Sequence, residues 1–189
     1  IKNYEKTGNA DGFLLGFEES YGYLLGSYAR DKDAVEASMM ILEMTAYYKK
    51  RGMTLADALA ELYKTYGLYM EEMIDIYMEG LDGIERRRTV MANLTDCPPE
   101  AFGGVKVVKI GNYKKGTITD LRTGESEATG MPSSEVLYYT LENDDKIVVR
   151  PSGTEPKIKI YLLAHGEDKA SLKAKIAAYA ADAKAKMGV

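Results

Sequence analysis

Residues 150–157 read RPSGTEPK, a run dense in hydrogen-bond donors set between the apolar runs KIVV and IKIYLLA. Arg150 offers a planar fork that matches two oxygens of a phosphate. Ser152 and Thr154 add hydroxyl donors, Gly153 lets the backbone approach an anion closely, and Lys157 brings a compact positive charge. Pro151 and Pro156 fix φ on either side, so less entropy is lost when the loop closes on a ligand. This chemistry suits a phosphate monoester. The residue types alone also fit a rigid hairpin connection whose charges are solvated, since Ser, Gly and Pro are common turn formers.

A second run, GFEESYGY at 16–23, places Glu18, Glu19 and Ser20 directly after an apolar strand candidate. Carboxylates and a hydroxyl in this pattern accept from and donate to vicinal hydroxyls of the kind sugars present. Arg30 and Lys32 follow in ARDKDA, where they either contact a phosphate or pair with the glutamates. The same residues also read as a helix start, with Asp31 or Asp33 capping the first turn.

The elements that must position these loops change character along the chain. FLLGF (13–17) reads as a short buried strand, and a helix follows from Asp33 to Gly52 with Val35, Met39 and Leu42 on one stripe. TLAD at 54–57 reads as a capping box opening a second helix, with Leu55, Leu59, Leu62 and Tyr66 apolar and Gly67 as its stop. LYMEEMIDIYM (68–78) is ambiguous, its alternating Ile74, Ile76 and Met78 favouring a strand in the second half. A third helix carries Ile84, Arg87 or Arg88, Met91 and Leu94 in register before CPPEAFGG ends it.

Beyond it the period falls to two. VKVVKI, VLYYTL, KIVVR and KIKIYLLA predict an antiparallel sheet of about four strands, and Ile158, Ile160 and Leu162 share one face of the last. A terminal helix from Asp168 turns Leu172, Ile176, Tyr179 or Ala180, Ala183 and Met187 inward. The fold class is therefore α+β, with a helix-rich first domain over 1–82 and a sheet-plus-helices domain over 83–189.

Composition narrows the function classes. The 189 residues are 46% apolar and 29% charged with a net charge of −4, which argues against a general nucleic-acid or membrane-surface binder. No apolar stretch approaches the ~20 residues of a membrane span. Cys97 is the single cysteine, so no internal disulfide forms and the cytoplasm is the natural compartment. One Cys and one His make zinc an unsuitable expectation, and His165 reads as a structural residue at a strand end.

GFEESYGYL and RDKD, followed much later by RPSGTEPKIKIY, closely resemble the α-D-phosphohexomutase family of phosphoglucomutases and phosphomannomutases, in order and in separation across essentially the whole chain. The resemblance implies the C-terminal part of an α/β domain, the third of four, followed by the fourth, an antiparallel sheet with helices. It matches Glu18 and Ser20 to sugar contacts, Lys32 to a substrate-contacting lysine, and Arg150, Ser152, Gly153 and Thr154 to a phosphate grip, with Lys157 beside them. The implied substrate is a small-molecule sugar phosphate. The implied reaction moves phosphate between C1 and C6 of an aldose through a phosphoserine and glucose 1,6-bisphosphate or its analogue, with Mg²⁺ offsetting the developing charge.

Neither a TASHNP-like serine loop nor an Asp-x-Asp-x-Asp loop occurs in the sequence. Catalytic and metal-binding residues are thus expected outside this chain, which reads as the last third of a mutase and inactive by itself. A phosphopentomutase of the same fold, or a non-catalytic sugar-phosphate-binding module, are the competing readings.

Overall fold

In the computed structural model residues 2–9, 12–18, 21–80 and 82–188 are described, and their contacts divide the chain into two units, Ile1–Thr65 and Tyr66–Val189. The first contains α1 (Lys2–Lys6), β1 (Leu15–Phe17), β2 (Tyr23–Leu25), α2 (Ala34–Lys50) and α3 (Leu55–Tyr66). β1 and β2 form an antiparallel hairpin with Leu15 opposite Leu25 and Phe17 opposite Tyr23. The strand expected at 13–17 is thus shorter, and its partner was not foreseen because Tyr23–Leu25 is bounded by glycines.

Capping sets the helix starts as the sequence predicts. Asp33 Oδ1 accepts from the amides of Val35 (2.8 Å) and Glu36 (3.1 Å). The Thr54 amide donates to Asp57 Oδ2 at 2.8 Å while the Asp57 amide donates to Thr54 Oγ1 at 3.1 Å, a reciprocal box. The apolar stripes are present but not covered. Val35, Met39 and Leu42 stand 73%, 66% and 70% exposed, and Leu59, Leu62 and Tyr66 are exposed too. Among the described residues, Leu24 and Ala58 are the unit's buried apolar side chains.

The second unit runs β3 (Leu68–Tyr77), α4 (Gly83–Asp96), β4 (Ala101–Phe102), β5 (Val105–Asn112), β6 (Thr117–Asp120), β7 (Ser126–Ala128), β8 (Leu137–Leu141), β9 (Lys146–Pro151), β10 (Lys157–Gly166) and α5 (Lys169–Lys186). Its antiparallel sheet has the order β3-β10-β9-β8-β5-β6-β7, with β4 paired to β5. Eight strands stand where about four were expected. β6 and β7 are short and lack alternating burial, and β3 is a strand over its whole length because it pairs with β10 from Leu68↔Gly166 to Tyr77↔Lys157. That pairing joins β3 to the second unit, whereas the expected boundary at 82/83 assigned it to the first.

Cross-strand rows make the core. Ile74, Ile160, Val149 and Leu137 lie opposite one another across four strands, and Leu162, Ile147, Tyr139 and Ile110 form the next row. Ile158, Ile160 and Leu162 are fully buried, each contributing about 1.5–3 kcal/mol relative to exposure. α5 supplies Leu172, Ile176, Tyr179, Ala183 and Met187 to the same core, at the spacing the sequence predicts. Asp168 caps it by accepting from Ala170 and Ser171. α4 contributes Leu94 and in part Met91, while Ile84 is 54% exposed.

The entry of α4 is fixed by a close approach. A Cβ on Gly83 would lie 1.8 Å from the Met78 carbonyl oxygen, so only glycine lets the helix start this near the end of β3. The Met78 amide in turn donates to the Pro156 carbonyl at 2.8 Å, which ties the end of β3 to the loop between β9 and β10.

Candidate anion-binding loop

That loop is tied to α4 through two of its carbonyls. Arg87 of α4 donates through one nitrogen to the carbonyls of Ser152 (3.2 Å) and Glu155 (3.0 Å). The Ser152 amide donates to the Lys157 carbonyl (2.9 Å) and the Lys157 amide to that of Glu155 (2.8 Å). The Glu155 amide donates to Ser152 Oγ at 3.2 Å, which occupies an acceptor position of that hydroxyl and leaves its proton to be offered outward.

The amides of Gly153 and Thr154 have no protein acceptor among the described residues. Both residues are exposed, and a cavity of about 620 Å³ opens in front of them, walled by Arg87, Arg150, Pro151 and Lys159. Gly153 shows no left-handed φ, and a Cβ built on it would meet nothing within 4 Å. Neither its own conformation nor the surrounding protein therefore demands a glycine.

Arg150, the next-to-last residue of β9, lies on the sheet face opposite the core, directly across from Lys159, with its guanidinium 5.6 Å from the centre of the Tyr161 ring. The face alternation that the sequence predicts for β10 places both cations at the loop mouth.

Lys157 departs from expectation. Its side chain is only 7% exposed, and its ammonium lies 2.8 Å from Asp75 Oδ2 and 2.9 Å from Glu155 Oε2. The Asp75 carboxylate first, and Glu155 after it, hold the ammonium protonated well above the ordinary lysine value. The charge anticipated for a ligand is engaged inside the protein, so Lys157 supports the loop base from beneath. In the sequence Arg87 stands only as one of two alternative register positions in a helix. An arginine in register with Met91 and Leu94 needs acceptors, and that requirement was the available signal.

In the first unit, the Glu18 amide donates to the Gly22 carbonyl (2.8 Å), and Glu18 Oε1 lies 3.1 Å from Lys32 Nζ. Lys32 also meets Asp31 Oδ1 at 2.8 Å, and Asp31 followed by Glu18 raise its pKa. Of the two readings for these cations, pairing is what the structure shows, with Arg30 likewise bound to Glu5. Glu18 and Lys32 are brought together, and Ser20 lies outside the described residues. Tyr21 sits at φ 62°, a left-handed turn that side chains seldom adopt.

Among the described residues no three His, Cys, Asp or Glu side chains are grouped as metal ligands would be. No described helix is long and apolar enough to cross a membrane. Cys97 is free and exposed.

Two family models match separate stretches of the chain. Residues 4–66 match the family described as phosphoglucomutase/phosphomannomutase, alpha/beta/alpha domain III, and residues 134–183 match the phosphoglucomutase/phosphomannomutase C-terminal domain. A probable phosphomannomutase of Haemophilus influenzae is 37% identical over 89% of this chain and 31% of its own length. A phosphoglucomutase of Staphylococcus haemolyticus is 34% identical over 85% of this chain and 29% of its own. The chain thus spans about a third of the length of these relatives. Among solved structures, the open form of the Paramecium phosphoglucomutase pp63/parafusin superposes with a TM-score of 0.59 at 17% identity, covering 99% of this chain and 31% of that one, a likeness of fold.

Proposed function

The chain belongs to the phosphoglucomutase/phosphomannomutase family, and on that premise we propose that its β9–β10 loop holds the phosphate of a hexose phosphate; the family resemblance further proposes Glu18, Ser20 and Lys32 as sugar-hydroxyl contacts of the whole enzyme. The whole protein is then an intramolecular phosphotransferase that interconverts hexose 1-phosphate and 6-phosphate. In such a reaction the phosphate that does not react must be gripped in either orientation of the sugar, so a fixed anion site is what the chemistry requires of this loop. The phosphorylated serine, the Mg²⁺ that would supply electrostatic stabilisation, and glucose 1,6-bisphosphate as intermediate belong to the proposal for the whole enzyme. The composition, with one cysteine, suits the cytoplasm.

One observation carries the reading. The Ser152 and Glu155 carbonyls are tied to Arg87 and the Pro156 carbonyl to the Met78 amide, while Ser152, Gly153 and Thr154, the last two with amides that have no acceptor among the described residues, line an open cavity beside Arg150 and Lys159. Donors without acceptors beside two cations select an anion. In a titration of the ¹⁵N-labelled chain with glucose 1-phosphate, the Gly153 and Thr154 amides are expected to shift. Arg150→Ala removes a charge-assisted contact and should weaken binding by about 1.5–3 kcal/mol, and Arg150→Lys should recover only part of it. Unchanged affinity in both variants would place the ligand elsewhere.

A further inference from the structure

We propose that Arg87 is a positioning residue for this loop: it fixes the orientation of the Ser152–Gly153 peptide so that an N–H, and not a carbonyl oxygen, faces the anion. The inference rests on the anion-site reading given above. In a trans peptide the C=O and the following N–H point in opposite directions. By accepting from Arg87, the Ser152 carbonyl turns toward α4, and the Gly153 amide therefore points away from it. The second bond, to the Glu155 carbonyl, anchors the other end of the same turn, so the residues between are bracketed.

Gly153 makes this bracket necessary. A glycine with open space about it rotates its flanking peptides with little steric resistance, so the turn has no internal lock. Were the Ser152–Gly153 peptide to flip, a carbonyl dipole would confront the phosphate and repel it. Arg87 opposes the flip because the flip leaves its charged nitrogen without that acceptor in a half-buried place. The position of Arg87 in turn depends on α4, whose start is set one helical turn earlier by the close approach of Gly83 to Met78. Arg88, the next residue, does not line the cavity at this loop and lies 3.6 Å from Glu85.

The test compares Arg87→Met, Arg87→Lys and Arg88→Met with the unmodified chain, using inorganic phosphate as the probe and the Gly153 and Thr154 amide resonances as the readout. Arg87→Met should bind roughly tenfold more weakly, the equivalent of losing one hydrogen bond from a charged donor, and Arg88→Met should stay within about twofold. Arg87→Lys, which keeps the charge and reaches one carbonyl at most, should fall between. The residual dipolar coupling of the Gly153 N–H vector should change in both Arg87 variants, while couplings in β8–β10 hold.

Equal weakening by Arg87→Met and Arg88→Met would mean that the guanidinium acts only as a nearby charge, and the inference fails. It fails as well if both Arg87 variants bind like the unmodified chain. Should Arg87→Met not fold, Arg87→Lys decides: unchanged affinity and an unchanged Gly153 vector overturn the proposal. If the unmodified chain shows no phosphate-induced shift at these amides, the anion-site reading itself is lost and this inference with it.

Discussion

Lys157 Nζ lies 2.8 Å from Asp75 Oδ2, a contact between the first residue of β10 and a residue of β3 that is 82 positions earlier. The bond is diagonal in the ladder, since Lys157 itself stands opposite Tyr77 and Asp75 opposite Lys159. The Tyr77 ring adds its face, 5.1 Å from the ammonium. Removing this cation leaves two carboxylates, Asp75 and Glu155, directed at the same space. Lys157→Met is therefore expected to lower the melting temperature by several degrees and to loosen the loop base. Its effect on phosphate affinity should be smaller than that of Arg150→Ala, although both remove one positive charge. Calorimetric melting and a phosphate titration on each variant check the ordering, and a larger affinity loss at Lys157 would return it to the ligand-contacting set.

Gly153 separates a structural requirement from a ligand requirement. Its backbone is of a kind other residues adopt, and nothing stands within 4 Å of an added Cβ. Gly153→Ala should leave stability unchanged or raise it by about 0.4–1 kcal/mol, through the entropy of the unfolded chain. The same methyl would stand where an anion must approach the backbone, so affinity for glucose 1-phosphate should fall. Denaturant midpoints and titration together test this, and a variant less stable yet equally able to bind would contradict it.

Asp145 carries the clearest pH signal. Its side chain is completely buried and accepts from Tyr179 OH at 2.7 Å, Asn143 Nδ2 at 2.8 Å and the His165 amide at 3.0 Å, with Lys175 Nζ 3.1 Å away. Burial pushes its pKa up. The Tyr179 hydroxyl, the His165 amide and Lys175 outweigh that, and the net direction is downward from the ordinary 3.8. The folded state therefore holds fewer protons here than the unfolded one. The stability Asp145 contributes is fully present above pH 3.8 and is lost as pH falls below it through the folded value. Asp145→Asn should cost about 1.5–3 kcal/mol at neutral pH, and its deficit against the unmodified chain should shrink on acidification below that point. A deficit independent of pH would remove the charge from the explanation.

These residues also show what was legible in the sequence. RPSGTEPK could be read because its donors are contiguous, and the α5 stripe because five buried residues repeat at helical spacing. The role of Lys157 could not, because Asp75 is far away in sequence and only the β3–β10 register brings them together. β3 itself showed its period only at Ile74 and Ile76, where one face is buried, while its first half has mixed exposure. β6 and β7 carry no apolar alternation and are strands by virtue of their neighbours. In the first unit the amphipathic stripes of α2 and α3 were read correctly as pattern, but pattern does not state what covers them.

The pairing of β3 with β10 also sets an order of assembly. Among the described residues the first strand of the second unit has the last strand as its only sheet neighbour, and even their closest pair, Tyr77 and Lys157, are 80 residues apart. Closing so long a loop is entropically costly and slow, so β5 through β9 can form hairpins among themselves well before β3 finds its place. On a ribosome β3 would emerge early and wait, its ten residues unpaired, until β10 followed. Glu71, Glu72 and Asp75 along that strand give it charge during the wait, a safeguard against pairing with the wrong chain. The anion loop, joined to β3 through Met78 and Pro156, is then among the last parts of the unit to acquire its shape.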